Sequence, residues 1–189
     1  MKSLRRATRE TRVHLTLARR RGDDPESIAT GDAFLDHMLA TLARHADLHL
    51  TVAASGDLRH HLVEDVAITL GLALRAEVPA ACARYGQAVV PMDDALVQVA
   101  VDLGGRAYYE GPLPVPLWDH ALRSLAENAA LTLHAQVLRG RDRHHVVEAT
   151  MKALGLALRQ ALVETAAPFS TKGAVEVAWD AAAVDDEEV

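Results

Sequence analysis

Two short stretches of this chain carry the residue types of a metal site. His60-His61-Leu62-Val63-Glu64 and His144-His145-Val146-Val147-Glu148 each place two adjacent imidazoles ahead of a carboxylate. Each opens an apolar run of helical period, so each is expected on the first turns of a helix. On a helix His60 and Glu64 share a face, whereas His60 and His61 diverge by about 100°. One ion can therefore be gripped by His60 with Glu64, or by His144 with Glu148, while His61 and His145 aim elsewhere. Two copies suggest two ions, each collecting ligands from more than one segment. No cysteine is among the candidates, which suits manganese, iron(II), zinc or nickel and disfavours an iron–sulfur cluster. Three imidazoles and one carboxylate leave open positions on an octahedral ion, as a catalytic site requires.

The copies extend beyond these stretches. Asp36-His37 precedes Asp119-His120 by 83 positions, and His60-His61 precedes His144-His145 by 84. The runs Leu70-Gly71-Leu72-Ala73-Leu74-Arg75 and Leu154-Gly155-Leu156-Ala157-Leu158-Arg159 match as well. Such a period points to two equivalent structural units, with His37 and His120 as additional ligands. Glu10 falls outside both units, with no counterpart in the second copy.

The elements that position these residues follow from periodicity. Val13, Leu15 and Leu17 alternate as a half-buried strand over 10–19, and Arg19 to Pro25 reads as a solvated turn. Phe34, Leu35, Met38, Leu39 and Leu42 recur at helical spacing, with His37 and His45 close in angle. A strand over 48–52 follows, then the first His-His helix to Pro79. Residues 87–91, 95–103 and 106–109 read as strands, 112–116 as a stiff linker, and 117–128, 130–138 and 144–163 as helix, strand and helix. The division is 1–94 for the first half-unit, 95–179 for the second, and 180–189 for an acidic disordered tail. The order implies an α+β fold with helices on one face of a sheet in each half.

Composition narrows the function classes. A net charge of −6 argues against nucleic-acid binding. A single cysteine, Cys82, excludes an internal disulfide framework and fits a reducing compartment. Without a long apolar run or a signal-peptide pattern, the expected protein is soluble and cytoplasmic, with no membrane partner.

Thr30-Gly31, Phe34-Leu35-Asp36-His37, Leu42-Ala43-Arg44-His45, His60-His61-x-Val63-Glu64-Asp65-Val66, Pro91-Met92-Asp93-Asp94-Ala95-Leu96, Asp102-Leu103-Gly104-Gly105-Arg106, His144-His145-x-x-Glu148-Ala149-x-x-Lys152 and Ser170-Thr171-Lys172-Gly173 together resemble the imidazoleglycerol-phosphate dehydratases of histidine biosynthesis. The resemblance runs from Arg5 to Gly173. It implies two tandem similar halves, each a four-stranded sheet with helices on one face, in the ribosomal protein S5 domain 2-like manner. It also implies a large hollow homo-oligomer of about two dozen chains, with sites at subunit contacts.

The implied reaction removes water from D-erythro-imidazole-glycerol phosphate to give imidazole-acetol phosphate, with the substrate ring held between two manganese ions per site. The implied ligands are His37, His60, His61, Glu64, His120, His144, His145 and Glu148. Glu10, in Thr8-Arg9-Glu10-Thr11, is the implied catalytic base. His45, Arg84, Arg106, Lys152, Ser170, Thr171 and Lys172 fall on substrate-binding positions. The chain departs from the family pattern in a short loop at Gly56-Asp57-Leu58-Arg59, about ten fewer residues between Arg106 and His120, Asp119-His120-Ala121-Leu122 for Glu-His-Phe-Phe, and Glu127-Asn128-Ala129-Ala130 for Asn-x-x-Gly. Two other readings are a metal-dependent hydrolase or a related enzyme acting on another imidazole phosphate, and a catalytically silent metal-bridged assembly. Glu10 and the Ser170-Thr171-Lys172 stretch weigh against silence, because neither is needed to hold metal.

Overall fold

The computed structural model describes residues 2–20 and 27–167. β1 (Lys2–Ala7), β2 (Thr11–Arg19), β3 (Ser27–Ala29), α1 (Ala33–Ala46), β4 (Leu48–Gly56) and α2 (Arg59–Glu77) form one half. β5 (Tyr85–Met92), β6 (Ala95–Asp102), β7 (Tyr108–Glu110), α3 (Pro116–Ala129), β8 (Thr132–Arg139) and α4 (Arg143–Ala161) repeat that order. The sheets run β1-β2-β4-β3 and β5-β6-β8-β7, with only the last pair of each parallel. This is the α+β arrangement of two four-stranded sheets with helices. No helix among the described residues is long and apolar enough to cross a membrane.

Alternation builds the inner sheet faces. Val13, Leu15 and Leu17 of β2 are buried while Arg12 and His14 are exposed, and Ala95, Val97, Val99 and Val101 of β6 follow suit. Full burial of one such side chain contributes about 1.5–3 kcal/mol. Caps set the helix starts. The Asp32 carboxylate accepts the Phe34 and Leu35 amides, and Asp142 accepts those of His144 and His145, directly ahead of the second histidine pair. Pro116 occupies the first turn of α3, where its missing N–H costs nothing.

The halves join through their helices. α1 packs on α4 and α2 on α3, so each helical contact crosses from one half to the other. The glycines of the repeated Leu-Gly-Leu runs allow it: a Cβ at Gly71 would lie 2.6 Å from the Leu125 carbonyl oxygen, and one at Gly155 2.8 Å from that of Leu42.

Three expectations need correction. The seam drawn between residues 94 and 95 falls inside the β5–β6 hairpin, and β5 pairs with β6 in the second sheet, so the sheets part between Glu77 and Tyr85. β1 and β3 had no signal of their own. β1 is an edge strand that gives sparse apolar residues to the interior, and three-residue β3 exists by pairing in parallel with β4. The strand at 106–109 begins later, at Tyr108. The end of the arginine-rich turn, over 21–26, Ser170, Thr171 and Lys172, and the tail 180–189 lie outside the described residues.

Candidate functional site

The crossed helix pairs create two matching clusters. At the start of α4, His144 Nε2 lies 3.0 Å from Glu148 Oε2, and His37 Nε2 of α1 approaches the same oxygen to 3.3 Å. At the start of α2, His60 Nε2 lies 3.6 Å from Glu64 Oε2, and His120 Nε2 of α3 is 3.1 Å from Glu64 Oε1. The ligating atoms of each trio lie within 4.8 Å of one another. Each cluster takes one histidine from one half and a histidine with a glutamate from the other.

A cation fits these groups on the chemistry of the donors. His120 Nε2 is buried yet makes no hydrogen bond of acceptable geometry, although a carboxylate oxygen stands 3.1 Å away. A ring nitrogen and a carboxylate oxygen sharing a centre without a shared proton are what a divalent ion uses. Glu148 is 7% exposed. Burial alone would raise its pKa, but Lys152, His37 and His144 outweigh that and hold the carboxyl below its usual value. Lys152 Nζ sits 3.0 Å from Glu148 Oε1, so it supports the cluster from behind.

His61 and His145 point away from these trios, each toward carboxylates. His61 Nδ1 lies 2.8 Å from Asp57 Oδ1 and 3.6 Å from Glu10 Oε2, and His145 Nδ1 lies 2.8 Å from Asp94 Oδ1. Those hydrogen bonds raise the pKa of both rings. They also keep a proton on Nδ1, so Nε2 is the atom available to a cation, and on His145 that atom lies 3.3 Å from Asp93 Oδ2. Asp94, which also accepts the Arg141 and Asp142 amides, is lowered to about 2. Glu10, Asp57 and His61 form a third, more exposed trio.

Glu10 does have a counterpart. The β1–β2 turn at Arg9-Glu10 corresponds in register to the β5–β6 turn at Asp93-Asp94, so Glu10 and Asp94 occupy matching places 84 residues apart. The two differ in engagement: Asp94 is bonded to His145, whereas Glu10 is 54% exposed and, among the described residues, stays 3.6 Å from His61 Nδ1. The repeated Asp-His pair also divides its labour. Asp36 Oδ1 accepts the Thr30 amide and hydroxyl, and Asp119 Oδ1 accepts the Leu113 amide and the Tyr109 hydroxyl. Each aspartate ties the incoming segment to its helix beside the ligand histidine. Asp119 thereby closes the shortened segment ahead of α3, and burial together with that bond raises the Tyr109 pKa. The spacing of the Asp-His pairs was visible in the sequence, whereas the roles of Asp57 and Asp94 depend on loop closure and had no sequence signal.

Other expected substrate residues stand apart within one chain. Arg84, at φ 71°, donates from Nε to Asp102 at 2.6 Å, and Arg106 comes within 3.9 Å of the same carboxylate. Asp102 ends β6, seven residue steps or about 23 Å of strand from the end that meets His145. His45 is eight residues beyond His37, about 12 Å along α1, and its Nδ1 bonds the Thr41 carbonyl at 2.8 Å.

A profile described as Imidazoleglycerol-phosphate dehydratase matches residues 30–158. The protein of that name from Deinococcus deserti is 44% identical over 193 aligned residues, covering 92% of this chain and 97% of its own. The one from Pyrococcus furiosus is 40% identical over 179 residues, with coverage of 90% and 99%. A crystal structure of the Pyrococcus furiosus protein superposes with a TM-score of 0.82 at 40% identity, over 91% of this chain and 100% of that one. The Staphylococcus aureus structure gives 0.77 at 32% identity, over 86% and 98%.

Proposed function

This chain belongs to the imidazoleglycerol-phosphate dehydratase family, and on that premise we propose that it converts D-erythro-imidazole-glycerol phosphate to imidazole-acetol phosphate and water, with manganese as its divalent ion. One observation carries the reading: two equivalent imidazole–carboxylate clusters stand at the helix starts, and of the two matching turn carboxylates Asp94 is hydrogen-bonded to His145 while Glu10 stays 3.6 Å from His61. His37, His144 and Glu148 would hold one ion, and His60, Glu64 and His120 the other, with His61 and His145 as outward ligands. When bound, such an ion supplies Lewis acidity toward the imidazole ring and fixes its orientation.

The chain's own groups do the rest. Glu10 takes the carbon-bound proton, its exposed oxygens being available to a substrate. Lys152 keeps the Glu148 carboxylate oriented and charged. Arg84 and Arg106 have the right chemistry for a phosphate monoester. Their place at the far end of β6 supports a site completed by another copy of the chain, in a large homo-oligomer.

The test is turnover of the manganese-loaded protein, followed by ketone formation, beside a Glu10→Gln variant. The variant is expected to keep metal and substrate while losing about 10²- to 10⁴-fold in rate. Full activity in Glu10→Gln would remove that residue from the mechanism, and release of inorganic phosphate without ketone would replace the dehydratase with a hydrolase.

A further inference from the structure

We propose that Asp65 is a positioning residue that fixes the turn carrying Glu10, which rests on the reading of Glu10 as the base. Asp65 follows Glu64 on α2 and is 7% exposed. Both Arg6 Nε and a terminal Arg6 nitrogen donate to its Oδ1, at 3.1 and 2.7 Å. Its Oδ2 accepts the hydroxyl of buried Thr11. Because the Thr11 proton goes to Asp65, the 3.1 Å contact between the Thr11 and Thr8 hydroxyls is donated by Thr8. The Thr8 oxygen then accepts the amides of Glu10 and Thr11, at 3.1 and 3.0 Å. A directed chain of hydrogen bonds thus runs from α2, whose first turns carry His60, His61 and Glu64, to the backbone of Glu10. Aligned bonds of this kind reinforce one another in a partly buried setting.

The second half shows that the fold does not require this network. At the positions 84 residues on, Arg6, Thr11 and Asp65 are matched by Val90, Ala95 and Ala149, all buried and apolar, around a turn of the same register. The polar version occurs only where the turn bears the exposed Glu10. Holding that carboxylate in register with the ligand helix explains the difference, and a misplacement of about 1 Å at a reacting group costs on the order of 10²-fold in rate.

The experiment transplants the second-half solution. The triple variant Arg6→Val, Thr11→Ala, Asp65→Ala leaves no unpaired buried charge, and is made in both the parent and the Glu10→Gln background. All four proteins are loaded with manganese and assayed for metal content, kcat and KM on imidazole-glycerol phosphate. The expected result is a folded, metal-replete triple variant with kcat down roughly 10- to 100-fold, KM little changed, and no further loss when the triple change is added to Glu10→Gln. Parent-like kcat, an equal loss in both backgrounds, lost metal, or failure to fold would each overturn the proposal. Full activity of Glu10→Gln alone would instead overturn the assignment of the base, so the two failures are distinguishable.

Discussion

Gly71→Ala is expected to loosen one metal cluster and spare the other. The new Cβ would lie 2.6 Å from the Leu125 carbonyl oxygen and 3.0 Å from the Ala129 nitrogen, where ordinary contact begins near 3.4 Å. Both neighbours are backbone, so no side chain can swing aside and α2 must withdraw from α3 by about 0.8 Å, the difference between 3.4 and 2.6 Å. Overpacking of this kind costs about 1–3 kcal/mol, against a helix-propensity gain of about 1 kcal/mol for replacing glycine. The net loss reaches about 2 kcal/mol, or a fall of roughly 4–8 °C in Tm for a chain of this size. The same displacement draws His60 and Glu64 away from His120, while His37, His144 and Glu148 span the other helix pair and stay put. Metal titration by calorimetry should then show one ion weakened and one unchanged. A rise in Tm with both ions retained would mean that the helix interface gives easily, and equal weakening of both ions would mean that the clusters are not tied to separate helix pairs.

Ala130 holds φ 52° at the end of α3, a left-handed conformation that costs an L-residue about 1–2 kcal/mol; Ala130→Gly should raise the Tm of the metal-free protein by a few degrees, and a fall in a thermal melt would contradict this. His61 and His145 have pKa values raised above 6.5, so in the metal-free chain their protonation contributes stability that is complete below that value and lost as pH rises through the raised one. Metal must displace those protons, so the gap in Tm between loaded and metal-free protein should widen from about pH 6 to pH 8, and a constant gap in differential scanning calorimetry would exclude these rings as ligands. If the proposed homo-oligomer shares ligands between copies, metal binding is part of its assembly energy and complete chelation should break it into smaller species; unchanged particle mass by light scattering would count against shared sites.

The sequence made the duplicated fold legible because the two copies differ by a single-residue gap, so apolar period, glycines and histidines all align. The 100° between adjacent helical residues also correctly separated His60, which faces His120, from His61, which faces Asp57. Contacts that depend on tertiary pairing were not legible. Helical period says which face of α1 is apolar but not that α4, from the other half, covers it. The kinship of Glu10 with Asp94 was hidden because Thr8-Arg9-Glu10-Thr11 and Met92-Asp93-Asp94-Ala95 share only an acidic third residue, and strand register alone superposes them. The pairing of Arg84 with Asp102 arises from a backbone at positive φ that no propensity predicts for arginine.

The exchange of helices between halves bears on how such a molecule could arise. Each cluster needs a first helix from one half and a second helix from the other, a relation that two identical half-chains could satisfy as readily as two fused ones. A symmetric pair of half-chains would carry two like metal centres, and two like turns beside them. Joining the halves in one chain is what permits those turns to diverge, so that mutation in one need not be copied in the other. Read this way, the linkage between Glu77 and Tyr85 is the point at which a symmetric metal-binding pair gains the freedom to become a directional catalyst.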